Sequence, residues 1–235
     1  MPHIVTAFGN ELRDVREAIM AMGKLAHEQV AGAVDALLRL DSDAATIVLK
    51  RDAEMDALER QVNETVFRLL ALRSPLANDL RRTIAAMKIA ADMERIGDYA
   101  ANIAKRSLTL SQVGPLIAAD QFRTMSEKVL EILDEVAQAY IDRDAALAVS
   151  AWSRDHEVDA LHTAVFQDIV ERMIDDPKLC STGTHLLFIS KNIERIGDHA
   201  TNVAENVHFL VSGHTISGDR PKEDEASLTV VKVDQ

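Results

Sequence analysis

The sequence predicts an all-α protein made of two homologous three-helix bundles in tandem. Three observations lead there. Apolar residues recur at helical spacing over long stretches. Turn formers are scarce, with 9 glycines and 5 prolines in 235 residues, which favours long helices. The chain also repeats itself. "ERIGDYAANIA" begins at Glu94 and "ERIGDHATNVA" at Glu194, and eight of thirteen positions are identical between 92–104 and 192–204. Arg51–Leu58 and Arg154–Leu161 share six of eight, and the turns "DSDAA" at Asp41 and "DRDAA" at Asp142 correspond. One unit has been duplicated and fused.

The first helix is expected from Phe8 to about Leu40, carried by Leu12, Val15, Ile19, Met22, Ala26, Val30, Val34 and Leu37. Asp41, Ser42 and Asp43 supply an N-cap for the next. That second helix keeps Met55, Leu58, Val62, Val66 and Leu69 on one side and stops at Pro75, because the residue before proline resists helical geometry. A third helix follows to about Leu110. Gly114-Pro115 marks the break between units. Three more helices are expected, to about Ile141, Ile174 and Val211, separated by "DRDAA" and "DDPK". The units are thus 1–111 and 116–211. The segment 212–235 lacks helical periodicity and reads as a flexible tail.

Composition narrows the function classes. A net charge of −12 argues against a nucleic-acid binder, which would present a basic face. A single cysteine, Cys180, leaves no disulfide to form and fits a reducing compartment. The N-terminus lacks the basic and apolar regions of a secretory signal. No uncharged apolar run nears the roughly 20 residues that span a bilayer. A cytoplasmic protein that is not inserted in a membrane is expected. There is no G-x-x-x-x-G-K-[ST], G-x-G-x-x-G or G-x-S-x-G, and the expectation is a protein that is not an enzyme.

The repeated element concentrates the chemistry. On the third helix an apolar stripe of Leu80, Ile84, Met87 and Ala91 continues as Glu94, Asp98 and Asn102. Glu94 and Asp98 are neighbours at i, i+4, where like charges are mildly destabilising. Gly97 between them costs about 1 kcal/mol against alanine. Glu194, Gly197, Asp198 and Asn202 repeat the arrangement. The middle helix of each unit carries a second pair, Asp52 with Asp56 and Asp155 with Asp159. If middle and last helices pack together, carboxylates converge, and ionised carboxylates in a cluster need a positive partner. All-oxygen donors suit hard cations such as Mg, Mn, Ca or iron. The alternative is a structural network in which Arg95 and Arg195 bridge the carboxylates, with Gly97 present only for close helix approach.

Other elements carry less. Glu205 and His208 form one E-x-x-H; a ferritin-like storage or enzymatic bundle needs two, and the first unit has Lys105 and Leu108 instead. Asp159 and His162 are likewise unmatched, with Glu59 in the place of His162. Cys180 lies in a turn without an evident base.

Two three-helix units each ending in E-R-I-G-D-x-A-x-N resemble the PhoU family of phosphate-transport regulatory proteins. The resemblance includes "F-x-x-E-L" at Phe8, "MGKLA" at Met22, "D-x-E-x-D-x-L" at Asp52 and "SPLANDLR" from Ser74. It implies an intracellular negative regulator of the phosphate-starvation response, acting between the ATPase subunit of the phosphate ABC transporter and a sensor histidine kinase. Self-association as a homodimer is also expected. The resemblance further implies metal ions on Glu94, Asp98, Glu194, Asp198, Asp52, Asp56, Asp155 and Asp159. The second unit departs from the pattern: "PKLCSTGTHLLFISKN" stands where the first has "PLANDLRRTIAAMKIA", and Lys191 replaces Ala91 beside the acidic pair.

Overall fold

The computed structural model describes residues 2–113 and 116–226, with side chains from Phe8 onward. The break expected at Gly114-Pro115 lies outside the described residues, as does the end of the tail, 227–235. The helices are α1 (Pro2–Arg39), α2 (Ser42–Arg73), α3 (Asn78–Leu110), α4 (Ala119–Asp142), α5 (Ala145–Ser153), α6 (Asp155–Asp175) and α7 (Cys180–Ser212), with a short 3-10 turn at Pro177–Leu179. Among the described residues there is no strand.

The caps follow from the sequence. Asp41 accepts from the backbone N–H of Asp43 and Ala44 at the start of α2, and Asp144 does the same for Ala146 and Leu147 at the start of α5. One difference from the expected pattern is informative. The middle helix of the second unit is not continuous; it breaks at Arg154, whose backbone sits at φ −90°, ψ 0°. The Arg154 side chain is fully engaged at the break. It reaches Glu135 at 2.5 Å and Glu131 at 2.6 Å on α4, and Glu157 at 2.9 Å on α6. The matching residue Arg51 remains inside an unbroken α2 and pairs with Glu28 of α1 at 2.6 Å. In both units the arginine of the repeated Arg-Asp dipeptide thus ties the middle helix to the first.

Within each unit three helical stripes enclose a core. Met22, Met55, Leu69, Ile89, Ile96 and Ile103 are fully buried in the first, and Phe122, Met125, Ile132, Val165, Ile169 and Ile193 in the second. These residues belong to one connected cluster. The units join mainly through α3 and α7, the two equivalent last helices, which run antiparallel. Tyr99 meets its own repeat counterpart His199, ring centroids 5.6 Å apart. On one side of that pair Arg106 lies 4.1 Å over the Phe188 ring, and on the other Arg81 lies 6.0 Å over Phe209. Asp92 accepts from His199 at 2.9 Å and Asn202 at 3.4 Å. Equivalent positions of the two repeats, Tyr99 and His199, therefore meet where the two helices pack.

Candidate functional site

Each unit brings its two carboxylate pairs together through its glycine. A side chain at Gly97 would meet Met55 and Gln29 at 3.2 Å, and one at Gly197 would meet Val158 at 3.4 Å. Met55 lies between Asp52 and Asp56, and Val158 between Asp155 and Asp159. The glycines permit close helix crossing at the level of the carboxylates, so the close-approach reading of Gly97 and the carboxylate cluster are one feature.

In the first unit Asp52, Asp56, Glu94 and Asp98 are half-buried. Burial raises the Asp52 carboxyl above its usual range, and the charges of Asp98 and Asp56 raise it further. Glu94 is raised by burial and then by Asp98, with Glu59 and Asp56 adding to it. The compensating cations are thin. Arg95 lies 3.3 Å from Asp98 and 3.7 Å from Glu94, and Arg60 lies 3.9 Å from Asp56. Beneath the cluster Gln29 is fully buried, and neither of its amide atoms has a hydrogen bond.

The second cluster is deeper and faces more cations. Asp155, Asp159 and Glu194 are buried, and Asp198 is half-buried. Burial pushes the Asp155 carboxyl up to about 6 against the pull of Arg220, and Glu194 up to about 7 against Lys191. Asp159 is raised by burial as well, opposed by the Glu223 N–H. The neutralising charges come from the segment after α7. Arg220 Nε lies 3.6 Å from Asp155, and its guanidinium also bonds Thr201 and Asn202. Lys222 reaches both Asp198 and Asp155, the latter at 3.6 Å. The Glu223 N–H donates to Asp159 at 3.0 Å. Lys191 bridges Glu194 at 2.9 Å and Asp224 at 2.8 Å. The described part of the segment expected to be a flexible tail, 213–226, lies in the acidic groove between α6 and α7. Helical periodicity carries no information about such a strap; the basic "RPK" at Arg220–Lys222 was its only trace in the sequence.

Among the described residues no three His, Cys, Asp or Glu side chains stand around one point closely enough to hold a metal ion as they are. Glu205 accepts from Trp152 Nε1 at 2.7 Å, and His208 Nδ1 faces the His214 carbonyl at 3.0 Å, so the E-x-x-H serves packing and a helix end. His162 is buried against Ser190 at 2.7 Å, and Cys180 is exposed at the start of α7. Among the described residues no helix is long and apolar enough to cross a membrane.

Comparison with known proteins gives this geometry its context. The PhoU domain matches the chain twice, over 19–107 and 122–207. A phosphate-specific transport system accessory protein PhoU homolog of Caulobacter vibrioides (strain NA1000 / CB15N) is 41% identical over 223 residues, covering 94% of this chain and 97% of its own. A homolog of the same description from Rhizobium meliloti is 41% identical over 226 residues, covering 96% and 95%. The crystal structure of PhoU from Pseudomonas aeruginosa superposes with a TM-score of 0.85 at 37% identity, covering 88% of this chain and 100% of that one. The phosphate transport system regulatory protein PhoU of Streptococcus pneumoniae gives 0.80 at 29% identity, covering 89% and 99%. With the duplicated domain and both carboxylate clusters in place, the chain belongs to the PhoU family.

Proposed function

We propose that this protein is a regulatory accessory of a phosphate-specific transport system, acting by binding rather than catalysis. It would dock on the transporter's ATPase subunit, restrain a phosphate-sensing histidine kinase when phosphate is ample, and self-associate as a homodimer in the cytoplasm. The observation that carries this reading is the double family match, with relatives so described that align over nearly their whole length. The surface supports docking: Leu76, just before α3, and Leu80 and Ile84 on α3 are exposed at 80%, 40% and 37%. The test is a deletion strain carrying a reporter of phosphate-starvation genes. Derepression in high phosphate, reversed by the wild-type gene and not by Glu94→Lys/Asp98→Lys, is the expected outcome. A reporter that stays repressed after deletion removes the proposal.

Cation binding is the second part. Asp52, Asp56, Glu94 and Asp98 would hold a hard cation such as Mg, Mn or iron, whose role there is to offset clustered negative charge. The sparse counter-charge around these half-buried carboxylates supports this, Arg95 and Arg60 coming no closer than 3.3 Å. At Asp155, Asp159, Glu194 and Asp198 the strap residues Arg220 and Lys222, with Lys191, supply that charge instead, so the fit is poorer. Elemental analysis of protein prepared without chelators, wild type against Asp52→Asn/Asp56→Asn/Glu94→Gln/Asp98→Asn, tests the first cluster. Equal, near-zero metal in both would return it to ion pairing.

A further inference from the structure

Five arginines converge at one end of this acidic molecule. Arg13 and Arg16 come from α1, Arg81 and Arg82 from the first turns of α3, and Arg143 from the residue that ends α4. With Tyr140 they line a cavity of about 400 Å³, and among the described residues no acidic side chain lines it. The net charge of the chain is −12, so this local excess runs against the whole.

Nearby carboxylates account for two of the five. Arg13 lies 3.9 Å from Glu17 and Arg82 lies 3.5 Å from Asp79. Among the described residues Arg16, Arg81 and Arg143 have no carboxylate within ion-pair distance. Arg16 donates to the Ile141 carbonyl at 2.8 Å, Arg81 donates to Asn78 Oδ1 at 3.0 Å, and Arg143 is exposed. Like charges gathered over an apolar lining such as Leu12 and Leu210 repel more strongly than in open water. The bundle does not require them, because Ser181 and Thr182 stand where Arg81 and Arg82 stand in the first unit. The start of α3 adds its positive end there, while the C-terminal ends of α4 and α7, which also reach the cavity, add negative ends that the arginines meet.

We propose that this cavity binds an oligophosphate anion, a small solute with two or more linked phosphoryl groups. Guanidinium forks engage phosphoryl oxygens bidentately. Five of them from three segments exceed what a single carboxylate or orthophosphate can use. The volume lies within the range of about 300–1,000 Å³ usual for small-molecule sites. The Tyr140 hydroxyl, protonated at neutral pH, adds a donor to the lining. The site stands apart from both carboxylate clusters and does not depend on the family assignment.

Calorimetric titration of the full chain in metal-free buffer tests this, using tripolyphosphate, pyrophosphate, orthophosphate, ATP and sulfate at matched ionic strength. Saturable one-to-one binding of tripolyphosphate is expected, at least about tenfold tighter than orthophosphate or sulfate. Arg16→Gln/Arg143→Gln should weaken it by at least about tenfold, and Arg16→Lys/Arg143→Lys should recover only part, because lysine keeps the charge and loses the fork. If the double variant melts early, the exposed Arg143→Gln alone should weaken binding by at least about threefold. ATP binding as tightly as tripolyphosphate would show that the phosphate chain is what is read. Absent saturation, equal affinity for sulfate, unchanged affinity in the variants, or binding of ATP without tripolyphosphate would each overturn the proposal.

Discussion

Gly97 and Gly197 occupy equivalent places, yet an added methyl would meet different neighbours. At Gly97 it would press on Met55 and Gln29 at 3.2 Å, both essentially without exposure. At Gly197 it would rest on Val158 at 3.4–3.5 Å, ordinary contact. Alanine gains about 1 kcal/mol over glycine within a helix, whereas overpacking a core costs about 1–3 kcal/mol. Gly97→Ala is therefore expected to destabilise by about 1 kcal/mol, and Gly197→Ala to be neutral or stabilising by up to about 1 kcal/mol. Urea unfolding of the two variants decides it; the same sign in both would refute the packing account. Gln29 makes a companion case. A buried amide without partners costs about 1–3 kcal/mol, so Gln29→Met, similar in shape, should raise the stability measured in the same experiment. A lower stability would show that the amide has partners the protein depends on.

At the scale of elements, the strap and α6–α7 form one electrostatic unit, and Glu194 is among its strongly perturbed members. It faces Lys191 and Asp198 on its own helix and Asp224 on the strap, while Asp155, Arg220 and Lys222 complete the groove. Its folded pKa, pushed by burial to about 7, exceeds the ordinary 4.5. The folded state therefore holds the proton more firmly, and this group's stabilising contribution is full below about 4.5 and lost as pH rises through about 7. Glu194→Gln should remove that slope: relative to wild type, the variant becomes steadily more stable from about pH 5 to about pH 7 and levels off above it. A pH-independent difference between the two would refute it. Arg220→Ala/Lys222→Ala tests the strap itself, with faster amide exchange expected at 213–226 while α6 and α7 stay protected. Unchanged exchange would mean that the cations do not hold it. The sequence showed the carboxylate pairs because i, i+4 spacing and duplication are local patterns. It hid the strap because a segment that lies across two helices has no period of its own. The arginine cavity was hidden for a related reason, its members being drawn from positions 13 to 143 and assembled only by the crossing of four helices. The break at Arg154 was equally invisible, since the equivalent Arg51 stands in nearly the same local sequence inside an unbroken helix.

At the scale of the whole molecule, two copies of one unit could unfold separately or together. Their separate heptad-like stripes were legible in the sequence; the pairing of α3 with α7 was not, because both helices read alike and neither advertises its partner. The structure favours joint unfolding. The core is one connected cluster, and the α3–α7 seam joins Asp92 to His199 and Asn202, Tyr99 to His199, and Arg106 to Phe188. The protein carries its own reporter for this question. Trp152, the single tryptophan, lies in the second unit, buried and bonded to Glu205 of α7. Its fluorescence follows one unit, whereas far-ultraviolet circular dichroism follows both. If the seam couples them, the two probes give coincident urea transitions. Asp92→Ala, which leaves half-buried donors unpaired, should then cost about 1–3 kcal/mol and shift both transitions together, although the residue belongs to the unit without tryptophan. A shift seen by circular dichroism alone, with the tryptophan transition unmoved, would show that the duplicated units fold as independent domains.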